Sequence, residues 1–368
     1  MNVPKKTIIL CTGILISVLC TWLFARHIEW KMLIESFNDA EYFYIIPAIA
    51  ASLLAYILRA MRWQSIMLPI KRISFVNTFS FVSIGYLANH ILPARAGEVI
   101  RPAMIAKKER IRVASTITTV VLERVFDLLG LIVFAIVTLI LIPSPNEDEI
   151  KTINTVQESS YESQTDNVNE EKNETGISFL ENIKKWIGIF AAAGIVAIVL
   201  LSLFVIYPRQ VTNFLHKIFA YFPKRICASL EHMLESFIAG LQILGNLKHM
   251  IWILFLTMVI WILTAVSMYA LCFSFNLNLP FTGSCLVAIC LAFAVALPQA
   301  PGYIGLFHLA TQKALEVFNI EIATSQSYAI ALWGISIIPI TIIGILFLWR
   351  EGISLKDLSK FEEQNIGN

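Results

Sequence analysis

The sequence has few charged residues for its length. Only 15% of its 368 residues are Asp, Glu, Lys or Arg, whereas 57% are hydrophobic and the mean hydropathy is +0.72. A soluble protein would carry about 25% charged residues, and several apolar stretches approach the roughly 20 residues that cross a bilayer as a helix. Strands of a membrane barrel would be shorter, about 10 residues each. We therefore predict an all-α polytopic membrane protein.

The chain also lacks the motifs of several kinds of enzyme. It has no GxxxxGK[ST] nucleotide loop, no GxSxG elbow and no metal-spaced cluster of His and Cys. Its six cysteines include no CxxC pair, and buried thiols are expected rather than disulfides. The net charge of +2 is too small to indicate nucleic acid as a partner. We expect no catalytic residue, no metal and no cofactor, and ATP-driven pumping by this chain alone is disfavoured.

Eight hydrophobic segments are present. Six are predicted to be full transmembrane helices, at about 7–25, 43–61, 117–142, 184–206, 249–273 and 327–349. Pro and Gly break the other two, 74–92 and 281–318. Because cytoplasmic loops retain Lys and Arg, the basic residues near the two ends of the chain predict cytoplasmic termini, and we expect a multi-pass protein of the cell (inner or plasma) membrane.

Segment 74–92 lies between two clusters of Lys and Arg, at 59–72 and 95–112. A single crossing would place one of these clusters outside. We therefore predict a re-entrant hairpin over 74–112 that turns near Pro93–Gly97, since irregular backbone is tolerated at membrane depth where protein buries it or water reaches it. A plain span with one basic flank paired or misplaced is the alternative. The same reasoning predicts a second re-entrant segment, 281–318, that enters from the opposite face.

These segments predict a division into two membrane halves. The first half is 1–142. An acidic extracytoplasmic loop over 143–183, expected to be disordered, separates it from a second half over 184–350. Within the second half, the helical spacing of apolar residues at 208–248 indicates two helices on the inner surface, with simple connectors as the alternative. A cytoplasmic tail, 351–368, follows.

The two broken segments share a short pattern. Both 92–99 and 297–304 read L-P-x-x-x-G-x-[VI], with one copy in each half. Interrupted segments at corresponding positions of two halves are typical of an inverted-repeat transporter that binds its substrate between them. Two transmembrane helices that are merely kinked by Pro and Gly are the alternative.

Charged residues follow the first break inside an apolar helix. Glu123 and Asp127 are four residues apart and share one helix face, with Arg124 beside it. Charges in hydrocarbon must pair within the protein, and Arg95 and Arg101 are the expected partners. Two hypotheses remain open. The charges form a structural ion-pair cluster that seats the hairpin, or an arginine of the break meets a lipid phosphate, helped by backbone N–H groups at the helix start after Gly97.

Other polar residues give weaker indications. Asn89 and His90 precede the first break, where they would line a cavity or cap the helix. His308 follows the second break and would bind a headgroup or, as an ordinary buried histidine, form a hydrogen bond. Arg59 and Arg62 are expected to extend to the inner membrane interface.

Three stretches together resemble one known family. GYLANHILPARAGEVIRPAMIAKK, STITTVVLERVFDLLGL and LPQAPGYIGLFHLA are similar to the lysylphosphatidylglycerol synthase membrane domains, a family of flippase-like integral membrane proteins. The resemblance covers about 7–350. The family's patterns fall on these residues: Pro93, Gly97, Glu98 and Arg101; Glu123, Arg124 and Asp127; Pro298, Pro301, Gly302 and Gly305.

The resemblance implies a flippase that translocates a phospholipid or a lipid-linked headgroup between leaflets. The lipid would be anionic, aminoacylated or linked to polyprenyl phosphate. Two-part members add a soluble domain that transfers lysine from lysyl-tRNA, and that domain is not expected here, since only about twenty residues follow the last span. Family members often carry a carboxylate after the second Pro, in the region that Tyr303 and His308 occupy here. A membrane subunit of an aminoacyl- or glycosyl-transferase system, beside a separate transferase, is the alternative.

Cysteine labelling from each side of the membrane tests the first hairpin. Cysteines placed singly within 74–77 and 105–108 should react with an impermeant maleimide from the same side, because both ends of a hairpin return to the face that it entered. Labelling of the two sites from opposite sides would contradict the hairpin.

Overall fold

A computed structural model describes residues 5–26, 28, 30–92, 95–141, 210, 247–297, 300–355 and 358. These residues form helices, short 3-10 turns and loops, and no strand occurs among them, which confirms the predicted all-α class. The helices in chain order are α1 (Lys5–Ala25), α2 (Trp30–Asn38), α3 (Ile45–Met67), α4 (Phe75–Ile91), α5 (Gly97–Glu109), α6 (Val113–Leu141), α7 (Leu247–Ser274), α8 (Phe281–Ala296), α9 (Leu306–Glu316) and α10 (Ile322–Arg350).

Four stretches of helix are long and apolar enough to cross a bilayer. They are Tyr42–Met67, which is α3 with the 3-10 turn before it, then Val113–Leu141, Lys248–Ser274 and Ile322–Arg350. Each coincides with a span predicted from sequence. Shorter apolar helices occur at Leu15–Ala25, within the predicted span 7–25, and at Phe281–Ala296. The predicted span 184–206, the acidic loop 143–183 and nearly all of the predicted surface helices over 208–248 lie outside the described residues.

Helices α4 and α5 pack against each other as a hairpin around the first break. Near the start of α4, Asn77 Nδ2 donates a hydrogen bond to Glu109 Oε1 at the end of α5 (3.1 Å). Lys71 Nζ donates to the carbonyl oxygen of the same glutamate (2.8 Å). At 1.5 Å per residue the two helices are only about 25 and 20 Å long. The chain therefore returns to the end of the molecule from which α4 set out.

A close contact between two glycines joins these helices near the turn. A Cβ atom on Gly97, the first residue of α5, would collide with the carbonyl oxygen of Gly85 in α4. Gly85 in turn leaves space for the side chain of Arg101, which passes 3.0 Å from the position that its Cβ would occupy. Small residues let helices approach closely where no hydrophobic force drives them together. Gly97 of the sequence motif is thus required for packing.

Helices α8 and α9 form a second hairpin around the 3-10 turn Pro301–Tyr303. Gly302 and Gly305 have positive φ angles, +74° and +88°. Gly305 also lies against α1, where a Cβ would collide with the side chain of Thr21. The backbone N–H of Ala300 donates to Ser17 Oγ (2.8 Å). Helix α1 therefore fixes the second break from one side.

Contacts between helix ends show how the two hairpins are directed. Glu351, directly after α10, forms an ion pair with Lys108 at the base of the first hairpin (2.7 Å). At the opposite end of α10, Gln326 donates to the carbonyl oxygen of Phe24 at the end of α1 (2.8 Å). The connections at the base of the second hairpin contribute Asn276 and Glu321 to a surface pocket beside α2. The hairpins accordingly open toward opposite ends of the molecule.

The two breaks meet inside the molecule. The imidazole ring of His90, at the end of α4, lies edge-on to the ring of Tyr303 with centroids 5.7 Å apart. One apolar core joins α6, α7, α8, α9 and α10, and another joins α3, α4, α5 and α10. Helix α10 belongs to both cores and also contacts both tips, through Thr341 at His90 (2.9 Å) and Trp333 at the carbonyl oxygen of Gly302 (2.7 Å).

The glycine contact predicts the effect of a single methyl group. Gly97→Ala should lower the thermal midpoint of the detergent-solubilised protein and reduce its free energy of unfolding by about 1–3 kcal/mol, because overpacking separates α4 from α5. Gly334→Ala in α10 is the matched control, since its Cβ would meet only Ile338 Cδ1 at 3.8 Å. Tryptophan fluorescence during heating measures both, and equal midpoints would contradict the required contact.

Candidate functional site

A cavity of about 380 Å³ lies where the two breaks meet. Helices α3 to α8 line it, together with Tyr303, Phe307 and the middle of α10. Sites for small molecules and cofactors have volumes of about 300–1,000 Å³. The cavity is therefore large enough to hold the polar part of a ligand.

The cavity has one polar wall and one apolar wall. The polar wall surrounds the first break and carries charged, amide, imidazole and phenol groups: Tyr56, Arg59, Tyr86, Asn89, His90, Arg95, Glu98, Arg124, Asp127 and Tyr303. The apolar wall is formed mainly by α6, α7 and α8, with Leu128, Leu131, Trp261, Met268, Leu291, Val295 and Phe307. This division suits a ligand that has a charged group and a hydrocarbon part.

Behind the polar wall lies a group of short ion pairs, here called the inner cluster: Arg62, Arg101 and Glu123. Glu123 is fully buried. Its two carboxylate oxygens accept hydrogen bonds from Arg62 Nη2 (3.1 Å) and Arg101 Nη2 (2.6 Å). Because an unpaired buried carboxylate is costly, two guanidinium groups at hydrogen-bond distance are what allow it to be charged here.

Neighbouring side chains hold the two arginines of the inner cluster in place. Arg62 Nη1 donates to Thr257 Oγ1 in α7 (3.0 Å) and lies 2.6 Å from Asp127 Oδ1. The guanidinium of Arg101 lies over the ring of Trp63, 4.3 Å from its centroid, a cation–π arrangement. The cluster therefore connects α3, α5, α6 and α7.

The structure corrects the expectation for Arg62. This side chain was predicted to extend to the inner membrane interface, but it is fully buried and pairs with Glu123 and Asp127. Arg62 has apolar neighbours on both sides in α3, and an arginine at the membrane interface has similar neighbours. Nothing local in the sequence distinguishes the two cases, because the partners come from α6.

A second group of ion pairs, the outer cluster, faces the cavity: Arg95, Glu98, Arg124 and Asp127. Its nitrogen-to-oxygen distances are long, 3.7 Å for Arg95–Glu98, 3.8 Å for Arg124–Glu98 and 3.5 Å for Arg124–Asp127. The side chains of Arg95, Glu98 and Arg124 are 28–43% exposed. Pairs of this length and exposure contribute little to stability and leave donors and acceptors available to a ligand.

The pairing of Arg95 differs from the expected one. Arg95 was expected to neutralise Glu123 or Asp127, and it pairs with Glu98 on its own hairpin instead. Arg101 does pair with Glu123, as expected. Arg101 does not line the main cavity, whereas Arg95 does.

The backbone is unusual at both breaks. Arg95 and Tyr303 are not glycines, yet each has a left-handed φ angle, +54° and +61°. Non-glycine residues in this region are uncommon and are found often at functional sites. Each of the two lines the cavity. The first residues of the breaks, Pro93 and Pro298, lie outside the described residues.

The other predicted site residues divide between the cavity and the packing around it. Asn89 and His90 both line the cavity, and His90 Nδ1 lies 2.9 Å from Thr341 Oγ1. His308 does not line the cavity. Its Nδ1 accepts a hydrogen bond from the backbone N–H of Gly305 (3.4 Å), and its ring lies 5.2 Å from that of Phe24 in α1. In the second break, the carbonyl oxygen of Gly302 accepts from Trp333 Nε1 (2.7 Å).

Sequence analysis missed several groups on the cavity wall. Tyr56 and Arg59 project from α3, and Tyr86 projects from α4 with its ring 4.7 Å from that of Tyr56. The spacing of 56 and 59 on one helix face was the available signal. Asn89 Oδ1 and Trp261 Nε1 are buried and have no hydrogen-bond partner within the part of the chain that the structure describes. No group of three metal-binding side chains occurs in that part.

Comparison with known proteins identifies relatives. The model of a family described as lysylphosphatidylglycerol synthase TM region matches residues 10–156 and 176–344. The protein named Glycosyltransferase AglD, from Haloferax volcanii, is 23% identical over 317 residues, which cover 83% of this chain and 48% of that protein. The chain thus spans about half the length of this curated relative. No solved structure matches.

The inner cluster predicts that replacing its carboxylate by an uncharged amide will strongly reduce stability. Glu123→Gln should reduce the stability of the purified protein by about 3–5 kcal/mol, because Arg62 and Arg101 are left buried without their counter-charge. Glu98→Gln, which removes a carboxylate of the outer cluster, should cost less than about 1 kcal/mol. Thermal unfolding in detergent compares the two variants. A similar loss in both would contradict the division into inner and outer clusters.

Proposed function

The chain belongs to the lysylphosphatidylglycerol synthase TM region family, and on that premise we propose that it is a lipid flippase. In this proposal a phosphate-bearing headgroup passes through the cavity between the two hairpins while the hydrocarbon chains stay in the apolar surroundings. The lipid is a phospholipid, in anionic or aminoacylated form, or a lipid whose headgroup is linked through polyprenyl phosphate.

The observation that carries the proposal is the division of the cavity into two walls. Charged groups line the cavity around the first break and on α3 and α6, and apolar side chains of α6, α7 and α8 make up much of the rest of the lining. A soluble polar substrate would gain nothing from the apolar wall, and a plain hydrocarbon would gain nothing from the charged one. An amphipathic lipid matches both.

The outer cluster supplies a means of binding and release. Arg95 and Arg124 are held to Glu98 only at 3.7–3.8 Å, so a phosphate can replace this carboxylate as their partner. Glu98 and Asp127 would then be available to the ammonium group of an aminoacylated lipid. The inner cluster stays paired throughout and keeps α5 in position.

The hairpins supply a path for the headgroup. We propose that both are re-entrant and enter the bilayer from opposite faces, so that their tips meet near the midplane as in inverted-repeat transporters. The contact between His90 and Tyr303 then closes the path. Small rotations of the tips would open it toward one face at a time. In this arrangement both termini are cytoplasmic and the membrane is the inner or plasma membrane.

A second candidate is suggested by the name of the relative. The protein called Glycosyltransferase AglD matches this chain over about half of its own length. The corresponding hypothesis is a membrane subunit that presents a lipid carrier to a separate glycosyl- or aminoacyl-transferase. It uses the same cavity but requires no movement of the lipid between leaflets.

Transport in vesicles tests the flippase. Purified protein in liposomes should accelerate the exchange of fluorescent phospholipids between leaflets, measured as the labelled fraction that dithionite quenches. Arg95→Gln should slow this exchange about tenfold, since one charge-assisted bond to phosphate is lost. Arg112→Gln, which removes an exposed charge away from the cavity, is the control. Rates equal to those of empty vesicles for every lipid would overturn the flippase and leave the subunit hypothesis.

A further inference from the structure

Arg59 differs from the other arginines around the cavity. It lies in α3 one helical turn before Arg62 and lines the cavity. Arg62, Arg95, Arg101 and Arg124 each form an ion pair with a carboxylate. Among the described residues, Arg59 forms no ion pair and no hydrogen bond. A guanidinium inside a membrane protein normally pairs with an acceptor. We therefore expect an anion that is not part of the chain to bind at this position.

The charges around the polar wall do not balance. Five arginines stand there, namely Arg59, Arg62, Arg95, Arg101 and Arg124, against three carboxylates, namely Glu98, Glu123 and Asp127. Each carboxylate already forms ion pairs with two other guanidinium groups, and Asp127 acts on Arg59 only from beyond ion-pair distance. Within the part of the chain that the structure describes, two positive charges are in excess.

Neutral donors stand beside Arg59. Tyr86 and Tyr303 line the same wall, and neither hydroxyl has a hydrogen-bond partner in the described part of the chain. Tyr56 Oη is occupied, since it donates to the carbonyl oxygen of Ser336 (3.2 Å). A phosphate beside Arg59 can therefore accept hydrogen bonds from the guanidinium and from the phenol groups. An ammonium ion or a sugar hydroxyl would not require so many donors.

We infer that Arg59 is the principal anion-binding residue of the cavity and that it takes a phosphate group carrying two negative charges. This inference rests on the proposed function and makes it more specific. A terminal phosphomonoester, or a diphosphate that is esterified at both ends, carries two charges and balances the excess, whereas the phosphodiester of an ordinary phospholipid carries one. The group belongs to a lipid, whose chains occupy the apolar wall, or to free phosphate.

A matched pair of lipids tests the number of charges. At about pH 8.5, dioleoyl phosphatidic acid is largely doubly charged, since the second pKa of a phosphomonoester is near 6 in water, and dioleoyl phosphatidylglycerol has the same chains with one charge. Microscale thermophoresis in nonionic detergent should give at least about tenfold tighter binding of phosphatidic acid to the wild-type protein. Equal affinity for the two lipids would overturn the inference.

Variants at position 59 test the residue. Arg59→Gln should lose the preference for phosphatidic acid, and Arg59→Lys should retain most of it. Arg112→Gln, the control at an exposed site, should leave the preference unchanged. Because Arg59 forms no ion pair or hydrogen bond among the described residues and interacts with Asp127 only from a distance, the glutamine variant should stay folded, with a thermal midpoint close to that of the wild type. An unchanged preference for phosphatidic acid in folded Arg59→Gln would overturn the role of Arg59. The same loss of that preference in Arg59→Lys and in Arg112→Gln would also overturn it.

Inorganic phosphate distinguishes the two sources of the group. Competition by inorganic phosphate at the concentration of the lipid would assign the site to free phosphate, and weak competition would assign it to a lipid headgroup. The vesicle assay separates this inference from the flippase itself. Unchanged preference for phosphatidic acid in Arg59→Gln, together with normal exchange, overturns the role of Arg59 and leaves the flippase. Arg59-dependent binding without any exchange overturns the flippase and leaves the anion site.

Discussion

The carboxylate of Glu123 and the two guanidinium groups that hold it, those of Arg62 and Arg101, are the interaction on which the rest of the structure depends. A charge at this depth is tolerated only if its partners reach hydrogen-bond distance, and they do, at 3.1 and 2.6 Å. Meeting that requirement fixes α5 against α6 and α3. It thereby fixes where the chain turns between α4 and α5, and hence where Arg95 and Glu98 stand. The position of the charged part of the cavity lining therefore depends on neutralising a buried carboxylate.

The ion pairs of the buried inner cluster differ from those of the cavity-facing outer cluster, and the proposed division between stability and binding rests on this difference. The pairs of Glu123 are short and buried, so breaking them exposes uncompensated charge. The pairs around Glu98 are 3.7–3.8 Å long and partly exposed, so their separation costs little. Asp127 connects the two groups, since it contacts buried Arg62 and cavity-facing Arg124. In the proposed function, the two hypotheses raised by the sequence, a structural cluster and a ligand site, apply to different residues of one network.

The two breaks contribute different chemistry despite their common pattern. The first provides a charged pair and a close approach of α4 and α5 through Gly97. The second provides the ring of Tyr303, and its Gly305 and His308 pack against α1 and away from the cavity. The shared Pro and Gly reflect a shared need for irregular backbone, with a left-handed residue at each tip. The polar contacts of the site come mainly from the first half of the chain, α3 to α6.

The sequence by itself determined the all-α class, four helices that are long and apolar enough to cross a membrane, and the places where Pro and Gly interrupt two further segments, because hydrophobic length, Pro and Gly act locally along the chain. It also showed that Glu123 and Asp127 share a helix face, which follows from helical periodicity. Only the tertiary structure decided their partners. Arg62 and Glu123 are 61 positions apart, and Arg62 and Thr257 are 195 apart. Such pairings depend on which helix faces meet, and neither composition nor periodicity specifies this. For the same reason Arg59 resembled an interfacial arginine until the packing of α3, α4 and α6 placed it on the wall of the cavity.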